Sequence, residues 1–442
     1  MGFIRGEARE QVSLFPATLD EFITENHACR VIEAFVHRLN VFELGFVRAE
    51  PAETGRPGYD PRDLLKLYLY GYLQQIRSSR RLEAECGRNV EVMWLLGRLR
   101  PDYKSIAEFR RMHVEAVTEA GAELVQFARS VGLVKGEWVA IDGSKFRAVS
   151  NASRVREREA MKRYLEEVEA ADQQDEVVID HSAVQTALEK LRQDPEPEAS
   201  FMRTKDGKRP AYNVQTAVDA EHGLIVAQKV TREKNDLRSL QPMAEAAQQA
   251  VGCPARLHVV ADAGYSNGQQ AEACESKGIV VHVPIQRSVN NQGDGKLFER
   301  SRFRYDRSRD RFQCPAGAML TRLQEQPARR RVVYAAQVQD CGACGLKSQC
   351  TNTRRRTVRR LWYEDALERM QQRATPHAMR LRRSIAEHPF ATLKYRIFGH
   401  PRFLLRGVQG ARTEISLAIL VYNLKRMMKV LGGSQLIKAL AH

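Results

Sequence analysis

Three carboxylates stand where metal-assisted chemistry becomes feasible. Asp142 follows the apolar run Trp138-Val-Ala-Ile141 and precedes Gly143-Ser144. Asp262 follows Leu257-His-Val-Val-Ala261 and precedes Ala263-Gly264. Glu387 lies far downstream, in the basic stretch Arg382-Arg-Ser-Ile-Ala-Glu387-His-Pro-Phe390. Either aspartate alone reads as a cap or turn residue. The shared pattern is more telling: an apolar strand, an Asp, then small residues that let a bulky phosphate backbone approach. Ligands in open α/β sheets collect at the carboxyl ends of strands. Three carboxylates gathered by folding can hold two divalent ions, which activate an attacking oxygen and stabilise a leaving one at a phosphodiester.

Spacing selects the third acid. Arg383, Glu387 and Lys394 stand at i, i+4 and i+11, and at about 100° per residue they project from one helix face. A carboxylate between two cations fits a metal ligand flanked by phosphate contacts. A surface ion-pair ladder is the competing reading. Pro389 interrupts the helix and loosens the placement of Lys394. Ile385, Phe390, Leu393 and Ile397 give the segment an apolar side. Glu414 is a rival acid, but its surroundings lack the Arg–Glu–Lys face, so Glu387 is preferred. Lys145 is assigned to phosphate, whereas Arg147 suits a solvated surface nearly as well. Asp236 reads as a helix cap. His388 would point about 100° away from Glu387 and receives no catalytic role.

The remaining composition suits that chemistry. Over 442 residues, Lys and Arg outnumber Asp and Glu 70 to 54, a net charge of +16. The simplest partner for such an excess is nucleic acid. A hydrophobic fraction of 43% is that of a globular chain, long enough for two or three domains. The opening MGFIRGEARE lacks the apolar region of a signal peptide. Ile415–Tyr422 is too short to span a bilayer. A cytoplasmic location with reduced thiols is expected. Cys314, Cys341, Cys344 and Cys350 then suit a four-thiolate zinc site, with incidental thiols as the alternative. The other four cysteines read as scattered, buried thiols. No GxxxxGK[ST] phosphate loop occurs, and none of the 13 tyrosines sits in a recombinase setting.

Two regions must position these groups. Residues 1 to about 135 read as helical: Asp60-Pro61 opens a helix, shorter ones follow near Ser79–Cys86 and Val90–Leu96, and Ser105-x-x-Glu108 is a capping box. This fits a helix-turn-helix DNA reader and a dimerisation bundle about equally. From 136 onward the pattern is α/β. Strands are expected at Trp138–Ile141, Tyr212–Val218, Gly223–Val230, Leu257–Ala261 and Ile279–Val283. A hairpin turn lies at Asp219–Gly223. Helices are expected from Asp236 to about Ala250 and over Asn267–Lys277. A charged helical insert (152–205) and a basic, cysteine-containing insert (285–375) interrupt this core. The final helix, about Thr413 to Leu431, reads as apolar on one face and basic on the other.

Taken together, these residues resemble the DDE transposases of bacterial insertion sequences. Their motifs appear as Asp142-Gly143-Ser144, Asp262-Ala-Gly264-Tyr265 and Arg383-x3-Glu387-x6-Lys394. Arg380 occupies the position of the tyrosine in the family's Tyr-Arg-Glu-Lys signature. The resemblance runs from the GRPGYDPRDLLKLYLYG segment to the last helix. It implies a mixed sheet of RNase H type flanked by helices, carrying both inserts and preceded by an all-α domain that ends near 135. It implies Asp142, Asp262 and Glu387 as ligands of Mg2+, with Mn2+ as a substitute, and Lys145, Arg383 and Lys394 against DNA. The implied partners are double-stranded DNA, both terminal inverted repeats and target, and a second copy of the chain. Water would free a 3′-OH at an element end, and that hydroxyl would attack target DNA. An inactive relative acting as a DNA-binding regulator, and a related metal nuclease, are the alternatives.

Overall fold

Caps and helical periodicity set the first third of the chain. The computed structural model describes residues 18–50, 57–172, 181–285 and 297–441. The opening MGFIRGEARE and the parts of the two expected inserts at 173–180 and 286–296 lie outside the described residues. Helix α1 (Ala28–Arg38) is capped by His27, whose Nδ1 accepts from the Cys29 N–H. Helix α2 (Pro61–Leu73) starts at the expected Asp60 cap, and α3 (Ser79–Arg88) and α4 (Val90–Leu95) follow. Helix α5 (Tyr103–Met112) opens earlier than the Ser105 box suggests. Asp102 accepts from the Lys104 and Ser105 N–H groups at 2.9 and 3.1 Å, satisfying two orphan donors with one short side chain. Helix α6 (Val114–Ser130) completes the helical stretch.

Strand β1 (Trp138–Arg147) runs on through Asp142, beyond the four residues expected. Phe146 supplies the reason: it is buried, so an inward-facing residue continues the strand pattern past the acid. Helices α7 (Ala152–Asp172) and α8 (His181–Arg192) occupy the charged insert. Strands β2 (Ser200–Thr204), β3 (Gly207–Asp219) and β4 (Ile225–Thr231) follow. The expected hairpin turn joins the last two, with Gly223 at φ +68° and the Asp219 carboxylate accepting from the Glu221 N–H. Helix α9 (Leu240–Ala250), β5 (Leu257–Val260), α10 (Gly268–Ser276) and β6 (Ile279–His282) alternate as read from sequence. Helix α9, however, has Ser239 at its cap position, and Asp236 sits in the preceding turn.

The basic insert builds its own five-stranded antiparallel sheet, β7 (Arg304–Asp306), β8 (Arg311–Gln313), β9 (Met319–Gln326), β10 (Arg331–Ala335) and β11 (Thr357–Leu361). Short helices α11 (Val338–Gly342) and α12 (Lys347–Cys350) lie between the last two. Helices α13 (Glu364–Arg373) and α14 (Pro376–Ala391) follow, then a π-helical turn, Thr392–Ile397. Helices α15 (Gly407–Leu431) and α16 (Gly433–Leu440) end the described chain.

Two compact units result. One gathers the chain up to Lys135, Gly143–Lys234 and the stretch from Glu387 onward; the other holds Gly136–Asp142 and Asn235–Ala386. In the first, β3 pairs antiparallel with β2 and with β4. Helix α15 packs against α2, α6 and β4. It is buried from Thr413 through Leu424, so the expected division into an apolar and a basic face holds only for its last turns. A helix wrapped by neighbours has no wet side to keep polar. The N-terminal helices α2 and α6 thus share their core with a helix from near the other end of the chain.

Glu414 sits at the heart of that core, fully buried. Its carboxylate meets Arg77 Nη1 at 3.0 Å and accepts from the Leu404 and Leu405 N–H groups at 2.7 Å each. Tyr72 Oη lies 3.4 Å away. Arg77 also donates to the Arg402 carbonyl and lies over the Phe398 ring. This assigns the rival acid Glu414 to structure.

In the second unit, β1 pairs parallel with β5 (Trp138↔His258 to Ala140↔Val260), and β5 pairs parallel with β6. Helix α10 packs on α9, β6 and α13. The separate antiparallel sheet has its own core of Phe303, Phe312, Leu320, Tyr334 and Val358.

Removing one partner of a buried ion pair strands the other charge. Glu414→Ala is expected to lower unfolding stability by about 3–5 kcal/mol, read as a shift in urea midpoint. A loss below about 1 kcal/mol would show that Arg77 and the two amides find water instead.

Candidate active site

The two aspartates come from adjacent parallel strands of the second unit. Asp142 lies two residues beyond the part of β1 that pairs with β5, and Asp262 lies two residues beyond the end of β5. Asp262 turns the chain: its Oδ1 accepts from the Gly264 N–H at 2.8 Å, opening a 3-10 turn, Ala263–Tyr265, that seats the fully buried Tyr265. Gly264 leaves room for this. A Cβ there would lie 2.9 Å from Asp262 Oδ1 and 3.8 Å from Asp236 Oδ2. Asp236, read from sequence as a cap, is therefore a third carboxylate beside the same turn.

One cation faces both expected acids. Arg382 Nη2 lies 4.0 Å from Asp142 Oδ1 and 3.7 Å from Asp262 Oδ2. The contacts are longer than hydrogen bonds, so the guanidinium acts through charge. Sequence reasoning passed over Arg382 in favour of its neighbour Arg383, which is exposed. A signal was present. Arg382 shares a helix face with Ala378, Ile385 and Ala386, all buried, and a charge on an apolar stripe needs a partner.

Glu387 is exposed on α14 and is the first residue of the other unit's last segment. Lys394 falls in the π-helical turn, where the Phe398 N–H reaches back to the Leu393 carbonyl. Wider winding there changes the angle computed for an unbroken α-helix, so Arg383, Glu387 and Lys394 do not follow a single 100° progression. Lys394 Nζ lies over the Phe146 ring at 5.3 Å. Lys145 is half-buried on β1. Arg147 faces Asp206 at 3.9 Å, in keeping with a surface role.

The four insert cysteines line one cavity of about 230 Å³, together with Phe298, Ala336 and Arg356. Cys341 Sγ accepts from the Arg356 N–H at 3.5 Å. Burial raises the Cys350 thiol above its ordinary value, the nearby Arg356 charge opposes that, and the other three cysteines add to it. No three of these thiols lie within 4.8 Å of one another. Among the described residues, one trio of metal-ligating type is that close: His27, Cys29 and Glu91. There His27 Nδ1 is committed to capping α1. Burial, helped by Glu91, pushes the Cys29 thiol up to about 12, so that thiol stays protonated and packed.

Trp138, at the start of β1, stacks on His258 and lies tilted against His282, with ring centroids 4.4 and 4.9 Å away. His258 Nδ1 and His282 Nε2 lie 2.9 Å apart, and His282 Nδ1 donates to the Arg373 carbonyl at 2.8 Å. The bond between the rings needs a nitrogen free of its proton.

Comparison with known proteins gives the chain a family. A family model described as Transposase domain (DUF772) matches residues 17–112, and one described as Transposase DDE domain matches residues 171–424. The second spans more than half of the chain, which belongs to the DDE transposase family. Its activity is accordingly that of a DDE-type DNA transposase. Asp262 and Glu387 fall within the matched stretch; Asp142 lies between the two. No curated protein matches. Among solved structures, the chain is similar to a piggyBac transposase synaptic complex with hairpin DNA, seen by cryo-EM, at 7% identity and a TM-score of 0.34, over 94% of this chain and 79% of that one. No described helix is long and apolar enough to cross a membrane.

Burial is the first cause holding both histidines below the ordinary imidazole value, with nearby arginines adding to it. The unfolded chain therefore takes up more protons than the folded one as pH falls through about 6.5, and stability declines with it. Urea midpoints measured from pH 7.5 to 5.5 should fall, and the fall should be shallower in His282→Phe. An identical slope in that variant would remove the histidine pair as the cause.

Proposed function

We propose that this transposase binds the terminal inverted repeats of a bacterial insertion sequence and carries out metal-dependent cleavage and strand transfer. Asp142, Asp262 and Glu387 serve as the metal-binding carboxylates. The observation that carries the reading is the convergence of Asp142 and Asp262, from adjacent parallel strands, on one shared cation. The donor set fits a divalent ion. Both are oxygen ligands of the kind that hard cations prefer, and Arg382 marks the place where positive charge is favoured. When bound, Mg2+ or Mn2+ there supplies activation of the attacking oxygen and neutralisation of the leaving one.

The chain's own residues do the rest. The Gly264 N–H fixes one oxygen of Asp262, leaving the other to face the site. Small residues at Gly143 and Gly264 keep the strand ends open to a phosphate backbone. Lys145, Arg383 and Lys394 supply phosphate contacts, in the manner of the Arg-Glu-Lys part of the signature. An RNase H-type core is supported by the antiparallel β3–β4 hairpin in one unit and the parallel β1-β5-β6 set in the other. Helices of the first 135 residues read the repeat ends. Two copies assemble, because two element ends must be joined, and the protein works in the bacterial cytoplasm on nucleoid DNA. The cavity lined by Cys314, Cys341, Cys344 and Cys350 offers four thiols and a backbone donor to sulfur, which is the chemistry of a structural zinc site; a bound ion would have to draw the thiols closer than the structure holds them.

Purified protein with Mg2+ and an end-containing duplex should release a 3′-OH end. Asp142→Asn, Asp262→Asn and Glu387→Gln should each cut this rate by more than the roughly 100-fold that outer-shell changes cost, with DNA retention in gel shifts near normal. Full cleavage by Asp262→Asn would overturn the assignment. For the insert, metal analysis should find about one zinc per chain, lost in Cys344→Ser together with a drop in melting temperature. Metal-free protein that melts like the variant would leave the thiols without a metal role.

A further inference from the structure

The guanidinium between the two aspartates marks the metal position in the reading above but is given no role of its own there, and phosphate contact is assigned to its neighbour. We propose that Arg382 is a resident counter-cation. It holds Asp142 and Asp262 together while no metal is bound, and it has to swing away for a divalent ion to enter. The proposal rests on the assignment of those aspartates as metal ligands.

Two like-charged carboxylates at neighbouring strand ends repel each other, and both Asp142 and Arg382 keep only about a fifth of their side-chain surface in water. Some positive charge must sit there. Arg382 provides it, and a guanidinium cannot give up its proton to make way for another cation. Its Nη2 is near the same two carboxylates that an incoming ion would use, so ion and guanidinium compete for one place.

The grip is also incomplete. Neither contact is short enough to be a hydrogen bond. Among the described residues, Arg382 Nε is a buried donor with no hydrogen-bond partner. A side chain held by charge alone, with a donor unsatisfied, is poised for a better acceptor. A DNA phosphate is such an acceptor, since it takes a guanidinium through two parallel hydrogen bonds. DNA backbone and metal then favour each other: phosphate draws Arg382 off the aspartates and the metal fills the space. Linkage makes the effect reciprocal. In free protein, Arg382 keeps metal affinity low, and Arg382 is a positioning residue rather than a catalytic one.

Binding of Mn2+ to the full chain, followed by electron paramagnetic resonance, tests this without any turnover. Titrations are made with and without a short mixed-sequence duplex, and duplex alone is subtracted. Arg382→Gln should bind Mn2+ about tenfold more tightly than wild type in the absence of DNA, and the duplex should add little. Wild type should bind weakly alone and gain affinity with the duplex. Arg382→Lys keeps the charge and should stay close to wild type. Equal or weaker Mn2+ binding by Arg382→Gln, with its urea midpoint intact, overturns the proposal. So does tight binding by Arg382→Lys, which would show that charge is not the cause. Asp142→Asn separates the two levels. If it has lost Mn2+ while Arg382→Gln is unchanged, only the role of Arg382 falls. If it binds Mn2+ like wild type, the carboxylate assignment falls, and the Arg382 proposal with it.

Discussion

A carboxylate removed entirely from water is the constraint on which the first unit depends. Burying an isolated charge costs far more than a domain's net stability, so Glu414 can exist only with its partners in place. They come from widely separated parts of the sequence: Arg77 from the turn after α2, and the Leu404 and Leu405 amides from the loop before α15. Arg77 in turn organises aromatic and carbonyl neighbours, and its own carbonyl accepts from the buried Arg110. An apolar core tolerates small slips among similar side chains. This one does not, because any slip strands a charge. The pair contributes little net stability compared with an apolar equivalent; its effect is to fix which helices meet and in which register.

The second unit solves the same problem in a wetter place. Asp142 and Asp262 are drawn together by parallel pairing of β1 with β5, which aligns the two strands and leaves their acids on the same side. Geometry alone thus creates a concentration of negative charge, and Arg382 from α14 answers it. The contrast with Glu414 is one of completeness. Glu414 has two amides and a close guanidinium, and it is locked. The aspartates share a guanidinium that stands beyond hydrogen-bond distance of both, which is what a site that exchanges cations requires.

Much of this was legible before the fold. Apolar runs placed β5 and β6 to within a residue, the Asp60-Pro61 pair placed α2, and the Asp219–Gly223 turn was read correctly. The misses have physical causes. Asp102 outcompetes Ser105 as a cap because it reaches two donors at once. The polarity of residues 142–145 hid the continuation of β1, which the buried Phe146 carries past the acid. Uniform 100° bookkeeping failed at Lys394, where Pro389 removes a backbone donor and the helix widens. Arg382 was overlooked because a signature directs attention to its own positions, whereas the unusual feature was a charge among Ala378, Ile385 and Ala386. Glu414, an acid inside RTEISLAILVYN, carried the same mark.

The order in which the polypeptide leaves the ribosome gives the discontinuous first unit a further meaning. Helices α2 and α6 are made early, yet the helix that completes their core lies more than two hundred residues later, and Glu414 cannot be buried without Arg77 nor Arg77 without Glu414. Asn235–Ala386, nearly continuous in sequence, emerges complete before α15 exists. The nascent chain therefore carries unfinished N-terminal helices, with their apolar faces open, through most of its synthesis. A chain cut short by a premature stop ahead of α15 would be unable to close that core, and quality control would meet it as an unfolded protein rather than as a truncated but competent enzyme.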